Sequence, residues 1–317
     1  MHIIYKIIPL AGLISMHIKN KTYCVNDIYR LESIPYTGRG CCAAILDTGI
    51  YPHPDLADHI SYFHDFVNGR KNAYDDNSHG THVAGIIAGN GYSSQGILKG
   101  MAPDCRIVSL KILDKKGSGD KNSLLNACQW IQHNYINYGI NIVNISIGSD
   151  TADCNEEKDE IASAINHLWN IGICIVVSAG NSGPGPGTIT FPGTCENVIT
   201  VGSDALLIYS SDGSSAKSHS GEGPTKCNIS KPDLLAPGHN IISCHNRYNG
   251  YTVKSGTSMS TPVVSGAIAL YLEKYPNTSN NIIKQNIKLS AADVGLPANC
   301  QGAGLLNVKH FLEQKPL

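Results

Sequence analysis

The chain has 317 residues, 42% of them hydrophobic and 15% charged, with 32 glycines and a formal net charge of −1. This length and apolar content allow one large core and exclude disordered and fibrous classes, while the near-neutral balance, without any Lys/Arg cluster interleaved with aromatics, gives no support for a nucleic-acid partner. Eleven cysteines with no Cys-x-x-Cys spacing exclude complete disulfide pairing and weaken zinc-ribbon and thioredoxin-like readings.

The first feature in chain order is a mostly apolar run from Ile7 to Met16, interrupted by Pro9 and Gly12 and followed by no Ala-x-Ala-type cleavage site. About ten apolar residues cannot cross a bilayer, so no membrane partner is expected. Residues 1–20 read as an N-terminal extension and 21–317 as one globular domain. Short apolar runs then alternate with longer helical patterns. The strands expected are Cys42–Leu46, Arg106–Leu113, Ile140–Ile147, Ile173–Val177, Asn197–Val201 and Asn240–Cys244, several apolar at successive positions, as in strands covered on both faces. Helices are expected over Asn122–Tyr138, where Leu124, Leu125, Cys128, Ile131 and Tyr135 form one stripe, and over Glu156–Trp169 and Ser279–Leu289. Gly139, Gly172 and Pro276 end or follow them. The pattern predicts an α/β fold, a mostly parallel sheet flanked by helices. Cys41, Cys42, Cys105 and Cys174 lie in or beside the apolar runs and read as reduced core thiols, which points to a reducing compartment.

Four stretches carry chemistry. Ile45-Leu46-Asp47-Thr48-Gly49 ends a strand in an acid, where functional groups of open α/β sheets collect. Ser78-His79-Gly80-Thr81-His82-Val83-Ala84-Gly85 puts a histidine at the mouth of a helix made slim by small residues; a metal site is disfavoured because no third ligand follows at zincin spacing. Val176-Val177-Ser178-Ala179-Gly180-Asn181 ends a strand in small residues and an amide. Gly256-Thr257-Ser258-Met259-Ser260-Thr261-Pro262 exposes a hydroxyl where a loop becomes a helix with Val263, Val264, Ala267, Leu270 and Tyr271 inward. Alone, Asp47 also reads as a cap or turn residue, either histidine as a surface or core residue, Asn181 as a loop residue, and Ser258 more readily as an ordinary helix cap. Together they supply the acid, base, amide donor and nucleophile of acyl transfer.

In that order these motifs resemble the subtilisin-like serine proteases, a likeness that runs over roughly residues 25 to 310. His53-Pro54-Asp55-Leu56, Gly100-Met101-Ala102-Pro103, Phe191-Pro192-Gly193 and Lys231-Pro232-Asp233-Leu234-Leu235-Ala236-Pro237-Gly238 add to it. The resemblance implies the subtilisin-like three-layer fold and a serine endopeptidase. Ser258 would be its nucleophile, His79 its general base and Asp47 the group that orients His79, while His82 would be structural. Asn181 and the backbone N–H of Ser258 would form the oxyanion hole. Gly117-Ser118-Gly119 and Ser146-Ile147-Gly148 resemble the two segments that hold a substrate strand, and Ser178, Ala179, Gly180 and Thr190 would floor an uncharged first specificity pocket. Peptides or proteins are the substrates implied, with a homodimer left open. No cofactor is implied for the chemistry, but Asp55 matches a ligand of the family's structural calcium. His219 and Glu222 depart from the family pattern. Competing readings are a processing protease for one precursor and a non-catalytic peptide-binding member of the fold. Ile7-Ile8-Pro9-Leu10 looks like the short extension of the intracellular branch. That likeness predicts a cytoplasmic enzyme, with secretion as the alternative, and an extension that blocks the cleft as an inhibitory propeptide.

Overall fold

The computed structural model describes residues 22–148, 156–204, 219–225 and 227–316; the extension, residues 1–20, lies outside them. Seven strands form one sheet: β1 Cys42–Asp47, β2 Ile60–Asp65, β3 Arg106–Lys111, β4 Ile142–Ile145, β5 Cys174–Ser178, β6 Ile199–Ser203 and β7 Leu234–Ala236. Their order is β2-β3-β1-β4-β5-β6-β7, and every neighbouring pair is parallel. The helices are α1 Val25–Tyr29, α2 His79–Ala88, α3 Lys121–Tyr138, α4 Glu156–Asn170, α5 Thr257–Lys274, α6 Asn280–Ser290, α7 Ala298–Gln301 and α8 Val308–Glu313. On one face of the sheet α2 packs on α5; on the other, α3 packs on α4. The expected three-layer α/β fold is therefore the fold observed.

Residues of β1, β4, β5 and β6 are buried at every position, which is why several of these strands are apolar at successive positions rather than alternating. The helix ends follow local chemistry. Asp120 caps α3 by accepting from Ser123 N at 2.9 Å, and Gly139 closes it at φ 66, a left-handed conformation that suits glycine.

Three strands escape the sequence pattern. β2 is an edge strand with mostly half-buried residues, so it shows no apolar run; β7 has only three residues. The third is β9, Tyr251–Lys254, which pairs antiparallel with β8, Ile241–Cys244. The expected strand at Asn240–Cys244 thus belongs to a separate hairpin that lies on α2, not to the parallel sheet.

α5 is buried more widely than its expected inward stripe. Val263, Val264, Ala267, Leu270 and Tyr271 are inside, but so are Ser260, Thr261, Ser265, Gly266 and Ile268, so the helix is buried all round. Its hydroxyls are satisfied on the spot: Ser260 Oγ donates to Ala236 O at 2.9 Å, Thr261 Oγ1 to Thr257 O at 2.8 Å and Ser265 Oγ to Asn144 Oδ1 at 2.9 Å. Because the helix begins at Thr257, Pro262 falls in its second turn and cannot donate to the carbonyl of Ser258 four residues back.

Candidate active site

The carboxyl ends of β1, β4 and β5 and the N-termini of α2 and α5 meet on one edge of the sheet. Asp47 is the last residue of β1 and is 1% exposed. His79 opens α2, and its Nδ1 lies 2.8 Å from Asp47 Oδ1 and 2.9 Å from Oδ2. Asp47 Oδ1 also accepts from Thr48 N at 2.7 Å, which turns the carboxylate toward the ring. The slim helix mouth has a steric reason: a Cβ on Gly80 would stand 2.2 Å from Gly49 O and 3.2 Å from Asp47 Cβ, so only glycine lets α2 approach the end of β1 this closely.

The side chain of His79 is 24% exposed. Burial pulls its pKa down, but the Asp47 charge and the hydrogen bond to it outweigh burial, and the pKa is raised above the usual histidine value. With Nδ1 committed to Asp47, Nε2 is the nitrogen left for proton transfer. His82, one turn further along α2, is built for the opposite purpose. It is fully buried, its Nε2 reaches Ile241 O at 3.1 Å and Thr252 O at 3.2 Å, and burial pushes its pKa down to about 3. A ring that stays neutral while holding the β8–β9 hairpin is structural, as the sequence motif implied.

Ser258 lies in the first turn of α5, half-buried, and donates its hydroxyl to Ser146 O at 2.9 Å. Asn181 is exposed beyond β5, and its Oδ1 accepts from Thr257 N at 3.1 Å and Thr257 Oγ1 at 3.2 Å. Those two donors identify the side-chain oxygen and leave the NH2 group free to face the cleft. Gly256 makes room for this arrangement: its φ is +140°, and an added Cβ would come within 3.4 Å of both terminal atoms of Asn181.

The segments expected to bind substrate flank this centre. Ser146, Ile147 and Gly148 leave β4; Ser178 Oγ donates to Ile147 O at 3.2 Å and so ties the two pocket walls together. Thr190 N donates to Ala179 O at 3.0 Å, and Gly180 takes φ +92°. A Cβ on Gly148 would meet Thr190 Oγ1 at 2.1 Å, and one on Gly180 would meet it at 2.3 Å, so the Thr190 side chain lies against both glycines. Gly117, Ser118 and Gly119 form a turn folded back on Leu113, with Asp114 N donating to Ser118 O at 2.8 Å. Asn77 joins that turn to the catalytic helix through Nδ2 to Lys115 O at 3.1 Å and Oδ1 from His79 N at 3.2 Å.

The expectation for Asp55 is corrected. Its carboxylate is fully buried, with Oδ1 accepting from Ser93 N at 2.8 Å and Oδ2 from the Tyr251 hydroxyl at 2.7 Å. Beside it stand His53 and Cys244. Calcium takes six to eight oxygen ligands, and a carboxylate already bonded to protein donors beside an imidazole and a thiol does not fit that ion. Glu222, one of the departures from the family pattern, is buried and accepts from Gly185 N at 3.1 Å.

Sequence reasoning missed Thr257, which orients Asn181, and Asp75, a buried carboxylate in the loop before α2. The only signal for Asp75 was the run Asp75-Asp76-Asn77-Ser78 ahead of a helix, which resembles an ordinary cap.

Comparison with known proteins agrees with this geometry. Residues 38–304 match the model of the Peptidase S8 subtilase family. Serine protease AprX of Bacillus subtilis is 40% identical over 294 residues, covering 86% of this chain and 66% of AprX. Subtilisin Savinase of Lederbergia lenta is 36% identical over 86% of this chain and 91% of its own length. Among solved structures, Sphericase superposes with a TM-score of 0.71 at 30% identity, over 86% of this chain and 90% of that one. A cold-adapted subtilisin-like serine proteinase gives 0.68 at 28%, over 86% and 89%. With an Asp–His pair, a serine at a helix start and an anchored asparagine on one sheet edge, the chain belongs to the subtilase family and carries its serine endopeptidase chemistry.

Proposed function

We propose that the protein cleaves extended peptide segments after small or medium-sized uncharged residues, using Asp47, His79, Ser258 and Asn181. The Asp47–His79 pair at 2.8 Å, on the same edge as Ser258, carries this reading. In the first step the Ser258 hydroxyl turns from Ser146 O to His79 Nε2, and its proton passes to the ring as Oγ attacks the peptide carbonyl. The Asp47 carboxylate stabilises the imidazolium, and Asn181 Nδ2–H with Ser258 N–H receives the oxyanion. His79 then protonates the departing amine, and water repeats the sequence on the acyl-enzyme. No cofactor enters the chemistry.

Thr190 between Gly148 and Gly180 supports the size preference. Thr190→Gly would lengthen the pocket, and in a peptide-library digest it is expected to shift cleavage toward larger apolar residues; an unchanged profile overturns the assignment.

We further infer that the enzyme works in the reducing cytoplasm. Cys24, Cys41, Cys42, Cys105, Cys128, Cys174, Cys195, Cys227, Cys244 and Cys300 are free thiols, which supports this compartment. We likewise infer that residues 1–20 cover the cleft until removed, with Pro9 resisting cleavage because it lacks an N–H and fixes its own backbone. One experiment addresses activity and regulation together: fluorophosphonate labelling of the full chain and of a chain beginning near Met16. Labelling that depends on Ser258 and is faster in the shorter chain is expected. Equal labelling of both chains sinks the inhibitory role, and no labelling of either sinks the peptidase reading.

A further inference from the structure

Asp47 rides on β1 and His79 on α2, so the bond between them requires that the strand end and the helix start be held in register. Asp75, 7% exposed, stands between the two. Its Oδ1 accepts from Thr48 Oγ1 at 2.9 Å, Asn77 N at 3.0 Å and Ser78 N at 2.9 Å. Its Oδ2 accepts from Thr81 N at 2.9 Å and Thr81 Oγ1 at 2.6 Å. Thr48 Oγ1 completes the link by accepting from Gly80 N at 2.9 Å. One carboxylate thus holds the residue after Asp47 and, on the other side, residues before and after His79. Ser78, immediately before His79, has φ +93°, a left-handed conformation rare for serine, and its N–H is one of those that Asp75 accepts.

The chemistry demands an ionised carboxylate. An acceptor-only group with about four lone-pair directions can serve these donors, whereas an amide in its place would turn an NH2 toward one set of them. Burial opposes the charge, yet the hydrogen bonds from Thr81, Ser78 and Asn77 outweigh it and hold the Asp75 pKa below the usual carboxylate range. The backbone carbonyl of Asp75 also accepts from Asn246 Nδ2 at 2.9 Å, in the turn between β8 and β9. On the other side of Thr48, the fully buried Lys111 donates to Thr48 O at 2.7 Å and to Asp76 Oδ1 at 2.8 Å.

We propose that Asp75 is a positioning residue for the triad: acting through Thr48 and Thr81, it fixes the end of β1 against the start of α2 and thereby sets the Asp47–His79 geometry. The rival is a plain helix cap that adds stability only. What separates them is the bond to Thr48, which lies outside the helix. The inference rests on the peptidase reading, and fluorophosphonate labelling of the unaltered full chain and of the unaltered chain beginning near Met16 is the control: failure of both marks the failure of that reading.

The test compares Thr48→Val, Thr48→Ser and Asp75→Asn in the full chain. It measures kcat and KM on one peptide, the acid limb of kcat/KM, the labelled fraction and the thermal melt. Thr48→Val keeps the shape but removes the hydroxyl, and is expected to lower kcat per labelled site about 10- to 100-fold with KM nearly unchanged, the scale of a misplaced catalytic group. Thr48→Ser should restore most of that loss. Asp75→Asn should lower kcat at least as far. It should also move the acid limb to lower pH, because of the charges acting on His79, Asp47 and Asp75 favour its protonated form and Lys254 opposes it. Normal kcat per labelled site with an unmoved acid limb, in variants that merely melt earlier, overturns the proposal. Thr48→Ser as impaired as Thr48→Val does the same. Should Asp75→Asn not fold, the two Thr48 variants decide the question.

Discussion

Two buried aspartates each stand beside a histidine, and their surroundings send them to different work. Asp47 faces His79 through Nδ1 at 2.8 Å, and the ring remains 24% exposed with its other nitrogen toward the cleft. Asp55 lies 3.6 Å from His53 Nδ1, but that nitrogen accepts from Asp55 N at 3.1 Å, Nε2 reaches Gly250 O at 3.1 Å, and neither side chain is exposed. In the first pair one nitrogen is held by a carboxylate and the other is left for substrate. In the second, both nitrogens and both carboxylate oxygens are occupied by protein groups, so the pair ties the 90–100 loop to the β8–β9 hairpin but can exchange no proton with a substrate. A catalytic dyad is distinguished from a structural one by an open nitrogen and solvent access, not by residue type.

The sharpest way to break this contrast is to remove the charge from each aspartate in turn. Asp47→Asn is expected to lower kcat about 10⁴-fold with the fold intact, since the ring would be held in the wrong tautomer; a loss of tenfold or less would make Asp47 no more catalytic than Asp55. A smaller effect is expected from Asn181→Leu, about 10²- to 10³-fold in kcat, the magnitude known for this donor in subtilisin itself. On the other pair, Tyr251→Phe removes the 2.7 Å donor to Asp55. That change should cost about 1–3 kcal/mol of stability, the price of an unsatisfied buried group, seen as a lower melting temperature with kcat unchanged. A fall in kcat at full stability would show that the Asp55 cluster reaches the chemistry after all.

Dependence on pH sharpens the same contrast. His79 must be neutral to accept the Ser258 proton, and its raised pKa places the acid limb of kcat/KM above the ordinary histidine value of about 6.5. The linkage to stability has the opposite sign. A folded pKa above the unfolded one means that the His79–Asp47 attraction stabilises the fold fully below the unfolded value and is lost as pH rises through the folded one. The enzyme is therefore most active where this contribution has gone. Asp75, with its lowered pKa, contributes above the unfolded carboxylate value and loses that contribution as pH falls through its folded one. An acid limb at or below the free histidine value would contradict the charge environment described for His79.

Much of this protein was legible in the sequence because the signals were local. Largely apolar runs marked β1, β4 and β5, since strands covered on both faces need no alternation. Small residues at the mouth of α2 marked a close approach, and the steric clash that any Cβ on Gly80 would make explains why. Asp47, His79, Asn181 and Ser258 could be named because each sits at an element boundary with a recognisable flank. What the tertiary structure alone decided concerns partners far apart in the chain. Thr257 fixes the face that Asn181 presents from 76 positions away. Thr190 lies against Gly148 and Gly180, in segments that leave β4 and β5. Tyr251 and Ser93 fill the oxygens of Asp55, so the same aspartate that reads as a calcium ligand along the chain becomes a hydrogen-bond acceptor in space. The physical reason is common to all three. A side chain's type is written at its own position, whereas the state of its lone pairs and protons depends on which donors the fold brings within about 3 Å.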